Sequence, residues 1–101
     1  MGRYRKKPII IEAFQMKPAR FHDERDWPTW LIAARELHHL DAGAFSYDKE
    51  ADEYIIRTLE GAMTVSDDDW IIRGVHGELY PCKPEIFAMT YEEVEACTES
   101  D

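Results

Sequence analysis

The chain has 101 residues and a mass of 11.8 kDa, which suits one compact domain and leaves no room for two. Apolar residues make up 45% of it, which excludes disorder by composition, and no apolar run approaches the roughly 18 residues that span a bilayer. The net charge of −9 is unevenly placed: residues 1–25 carry seven Lys/Arg against three Asp/Glu, residues 26–101 five against eighteen. An acidic body repels a phosphate backbone and gains nothing from counterion release, so no direct DNA binding is expected.

In chain order, residues 1–7 form a basic N-terminal arm with Arg3, Arg5, Lys6 and Lys7. No apolar stretch of signal-peptide length follows it. Residues 9–14 are rich in β-branched side chains and read as a strand, and residues 17–25, with Pro18, as a loop. Asp26 then precedes Trp27-Pro28, an N-cap followed by proline in the first turn. Trp27, Trp30, Leu31, Ala34 and Leu37 fall at helical spacing, which predicts a helix to about His39 or Leu40 that stops near Gly43. His38 and His39 at its end suit the helix dipole.

Beyond Gly43 the period changes. Residues 44–47, 53–59, 62–65, 70–75 and 78–82 are short candidate strands, separated by turn chemistry at 48–50, 60–61, 66–69 and 76–77. Such tight spacing predicts an antiparallel meander. Residues 84–87 read as a single helical turn, 89–94 as a closing strand and 95–101 as a loose acidic tail. The expectation is a single α+β domain over residues 1–101. One main helix covers a small antiparallel sheet that can curl into a half-barrel.

Chemistry-bearing residues are few. Cys82 and Cys97 make no disulfide framework, and no Cys-x-x-Cys or paired-histidine spacing offers a zinc site, so neither metal nor cofactor is expected. The Asp67-Asp68-Asp69 turn reads as solvated acid rather than a divalent site. Segment 70–82 carries more. If His76-Gly77 is the loop of an even-length hairpin, Arg73, Glu78, Tyr80 and Cys82 share one face, while Trp70, Ile72, Gly74, Leu79 and Pro81 share the other. Arg73, Glu78 and Tyr80, with His76 at the turn, are then the candidate ligand- or partner-binding residues. The alternative is a structural Arg–Glu cross-strand pair. Catalysis by Cys82 with His76 is disfavoured, because the strand separates them and no third group orients the pair.

Residues 58–61 (Thr-Leu-Glu-Gly), 69–75 (Asp-Trp-Ile-Ile-Arg-Gly-Val) and 77–87 (Gly-Glu-Leu-Tyr-Pro-Cys-Lys-Pro-Glu-Ile-Phe) resemble a family of small phage and prophage proteins. That family carries a TLEG … PGDWIIRGVKGEFYPCKPDIF … TYE signature. The opening Tyr4-Arg5-Lys6-Lys7-Pro8 and residues 11–14 are similar to its start, so the likeness covers residues 4–14 and 58–92. It implies a phage origin and a location in the cytoplasm of the bacterial host. The chain departs from the pattern at residues 67–69, where the family has a Pro-Gly-Asp turn, and at His76, where it has lysine.

Three functional classes follow. The first is a small acidic binding protein that engages a host protein as inhibitor or modulator, an anti-defence role included, steered by its charge toward a basic face. The second is a module that binds a small anionic molecule or nucleotide through Arg73 and Tyr80. The third, an enzyme, is disfavoured because no nucleophile–base pair, metal cluster or phosphate loop has a recognisable spacing.

Overall fold

In a computed structural model the protein is described at residues 2–5, 7–18 and 23–94. Its elements are β1 (Glu12–Gln15), α1 (Thr29–Arg35), β2 (Phe45–Asp48), β3 (Glu53–Thr58), β4 (Gly61–Val65), β5 (Trp70–Arg73), β6 (Leu79–Cys82) and α2 (Pro84–Thr90). The architecture is α+β, as the sequence predicts, but it has two three-stranded antiparallel sheets in place of one. Strands β2-β3-β4 form a meander. Strands β1-β5-β6 combine a hairpin with a strand from the other end of the chain.

The division between the sheets arises at residues 66–69. Asp69 N–H bonds the Ser66 carbonyl, Ser66 N–H bonds Asp69 Oδ2 at 2.9 Å, and Asp68 adopts φ 70. This turn sends the chain away from β4 and onto β1: Met16 N–H reaches the Asp69 carbonyl at 2.8 Å, and Asp68 N–H reaches the Met16 carbonyl at 2.7 Å. Among the described residues Asp69 is the buried charge, 2% exposed, and Lys83 Nζ meets its carboxylate at 3.3 Å. The ammonium and the backbone N–H together offset the desolvation of that carboxylate.

Several predicted boundaries move. β1 starts at Glu12 rather than Ile9, because β5 turns away after Arg73 and leaves residues 9–11 with no strand opposite. α1 is a short helix. Asp23 rather than Asp26 caps a 3-10 turn over Glu24–Asp26, Pro28 precedes the helix, and it ends at Arg35. Leu37 and Leu40 are exposed there, so nothing apolar rewards further turns, and the His38 ring accepts the Leu40 N–H in a local bend. The expected closing strand at 89–94 does not form: Met89 and Thr90 end α2, which has a proline in its first turn and equals α1 in length, and residues 91–94 belong to no helix or strand. Cys97 and the predicted tail at 95–101 lie outside the described residues, as do Met1 and Lys6 of the arm.

The main core lies between the two sheets and α1 and holds Phe14, Met16, Leu31, Phe45, Ile56, Val65, Ile71 and Leu79. Trp27 belongs to it as well. It meets Phe45 and Tyr54 edge-on at 5.6 and 5.5 Å, while those two rings stack at 4.7 Å. Trp30 packs at the margin. The opposite face of the β1-β5-β6 sheet is covered by α2, where Phe87 stacks on Trp70 at 4.0 Å.

Candidate functional site

The loop between β5 and β6 decides where each candidate residue points. Arg73 lies opposite Leu79 and Ile72 opposite Tyr80, and Gly74 N–H bonds the Glu78 carbonyl at 2.8 Å. The loop is therefore Val75-His76-Gly77, an odd length. Gly77 N–H returns to the Gly74 carbonyl, and Gly77 sits at φ 83. A three-residue loop of this kind is a turn followed by a left-handed residue, which glycine adopts without strain. The odd length corrects the expected faces. Arg73 shares its side with Ile71 and Leu79; Trp70, Ile72, Tyr80 and Cys82 share the other.

Arg73 is thus separated from Glu78 and Tyr80. Its guanidinium meets Glu12 Oε1 at 2.8 Å, across the β1–β5 pair and at the exposed rim of the core face. The expected cross-strand pair of Arg73 with Glu78 is not formed; the carboxylate that meets Arg73 is Glu12 of β1. No ligand can be shared by Arg73 and Tyr80 from opposite faces of one sheet, so that anion-binding arrangement is not formed. Glu78 folds over its own turn: Oε1 accepts the His76 N–H at 3.0 Å, and the carboxyl occupies the space a side chain at Gly74 would need. His76 stands exposed at the tip.

Glu78 and Tyr80 remain together, on the wall of a groove of about 380 Å³. Its other lining comes from Lys7, Pro8, Ile9 and Ile11 of the N-terminal segment, Gly74 and Val75 of the loop, and Thr90 and Tyr91 at the end of α2. Burial against this layer pushes the Tyr80 phenol up to about 12, with the hydrogen bond to Tyr91 adding to it. Tyr80 and Tyr91 each bring an aromatic ring and a hydroxyl to its lining. Ile9 and Val75, 51% and 58% exposed, give the groove an apolar lip, and Lys7 a cationic end.

The sequence reading missed Tyr91, Thr90 and the contribution of residues 7–11. The available signal was Pro84 followed by Phe87 and Tyr91: a proline at a helix start, then aromatics four apart on one helical face. The two rings do lie 4.9 Å apart.

Other chemistry-bearing groups lie away from this groove. Burial, with Asp69 nearby, raises the Cys82 thiol, which disfavours a thiolate there. A cleft of about 410 Å³ lies between Ala51, Asp52, Glu53, Val65, Ser66 and Asp67, and Asp52 in it accepts the Tyr47 hydroxyl. Among the described residues no three His, Cys, Asp or Glu side chains converge as a metal site would need, and no helix is long and apolar enough to cross a membrane. No protein-family model, curated protein or solved structure matches the chain.

Proposed function

We propose that this chain is a small acidic binding protein whose working surface is the groove between its N-terminal segment and α2, and that the ligand is another protein. The observation that supports this reading most is the groove itself. Tyr80 and Tyr91 both line it, and Ile9 and Val75 are exposed at its lip. Tyrosine combines a large apolar ring with a polar tip, and rigid aromatic anchors inside an apolar rim carry much of the energy of protein–protein contacts. The net charge of −9 adds long-range attraction for a basic partner face. In keeping with the phage-like sequence signature, the partner is a protein of the bacterial host, met in its cytoplasm.

The test is affinity capture from host lysate with matched variants. Tyr91→Ala and Ile9→Asp change the groove, whereas Arg73→Ala changes only the opposite face. A partner retained by wild type and Arg73→Ala but lost by both groove variants supports the proposal. Retention by all of them refutes it. The melting temperature of each variant separates lost binding from lost folding.

A further inference from the structure

We infer that the outer edge of β4 is a self-association surface, and that two copies of this chain pair there antiparallel about a two-fold axis at Met63. The inference goes beyond the groove reading and is independent of it. The phase of the β3 hydrogen bonds establishes the starting point. Arg57 N–H bonds the Ala44 carbonyl, so Arg57 faces β2, and its neighbours Ile56 and Thr58 face β4 through Met63 and Gly61. Ala62 and Thr64 therefore turn their N–H and C=O groups outward, and both residues are exposed. Among the described residues, no backbone partner is present for those groups. At Ser66 the outward row stops, because Asp69 takes its N–H.

Sheet edges are ordinarily blunted by charge, proline or a bulge. Three of the four edges among the described residues follow that rule: β1 carries Glu12 behind Lys7-Pro8, β2 carries Asp48, and β6 carries Pro81. β4, Gly61-Ala62-Met63-Thr64-Val65, has none of these, and Leu59 beside it is 94% exposed. In a molecule of net charge −9 this is a neutral stretch along which a second equally acidic copy can approach.

The strand is also self-complementary. With Met63 on the axis, Ala62 of one copy faces Thr64 of the other, so the outward groups exchange hydrogen bonds reciprocally and no charge opposes another, while the two Met63 side chains, 41% exposed in the single chain, meet each other across the axis. The product is one continuous six-stranded sheet, three strands from each copy. Association strengthens with added salt, which screens the repulsion between the acidic bodies.

The test uses two charged pairs of substitutions on the full chain: Ala62→Lys with Thr64→Lys, and Ala62→Glu with Thr64→Glu. Sedimentation and native mass spectrometry of wild type across the micromolar range are expected to show a dimer that grows with concentration and with salt. Each charged variant alone is expected to dimerise about tenfold more weakly or worse, because like charges then face each other across the axis. An equal mixture of the two is expected to recover the dimer as a mixed species. Circular dichroism establishes that each variant is folded; if one is not, the other alone still reads the loss. A wild type that stays monomeric throughout overturns the proposal, including the case in which this edge accepts another protein's strand. Charged variants that dimerise as well as wild type overturn it equally.

Discussion

The two faces of the β1-β5-β6 sheet are built from one alternating sequence and yet have different characters. The inner face contributes Phe14, Ile71 and Leu79 to the main core against α1 and the second sheet. The outer face buries Ile72 but leaves Trp70 and Tyr80 half-covered under α2, with a groove beside them. A face closed on every side stores stability. A face closed by one short helix at the sheet's edge leaves room for a partner.

The sharpest way to break this comparison is to truncate one residue in each layer. Ile71→Ala is expected to lose about 3–5 kcal/mol, because its side chain is fully buried and the core cannot collapse into the space. Phe87→Ala should lose about 1–2 kcal/mol, since that ring is partly wet and gives up one stack on Trp70. Denaturant midpoints with unchanged slope measure both. Equal losses would mean that α2 belongs to the main core and the outer face is not distinct.

Asp69 joins the two layers, since it fixes the 66–69 turn and receives Lys83 from the segment leading into α2. Asp69→Ala is expected to cost about 2–3 kcal/mol, through the orphaned Ser66 N–H and the loosened turn. Lys83→Ala should cost less than that, because water can reach the carboxylate from the exposed ammonium side. The reverse order in thermal melts would refute this account.

Alkaline pH tests the outer face through Tyr80. Tyr80 is held near 12, above an ordinary phenol near 10, so the fold favours its neutral form. Its stabilising contribution is complete below about pH 10 and is lost as pH rises through about 12. Tyr80→Phe should flatten that decline and remove one late step from the tyrosinate absorbance titration; Tyr47, held near 12 by its hydrogen bond to Asp52, should still titrate late. An unchanged late step after Tyr80→Phe would count against the Tyr80–Tyr91 arrangement.

The smallest effect concerns Asp68, which at φ 70 stands where the phage-type signature has glycine. Asp68→Gly is expected to stabilise by a few tenths to about 1 kcal/mol, and Asp68→Ala to destabilise by about as much. Solvent exposure alone would predict no change for either, so calorimetry separates backbone strain from surface chemistry.

What the sequence determined by itself was local. The α+β class, the positions of six strands within a few residues and the turns at glycine and aspartate all follow from periodicity and backbone preference, which act over a handful of neighbours. The second helix was half-legible, since Pro84 marked its start while the stack of Phe87 on Trp70 that sustains it lies outside any local window. The candidate site depended on one bit of information, the parity of the loop after Arg73. Both lengths place Gly77 in the turn; the return of Gly77 N–H to the Gly74 carbonyl makes it three residues and carries Arg73 to the core side. The partition into two sheets was likewise decided by tertiary structure. β5 could continue the meander or cross to β1, and the alternation of its side chains is the same in both. Only the buried Asp69 with Lys83, and Met16 bonded across the turn, select the crossing, because those partners lie far apart in sequence and meet only once the chain has folded.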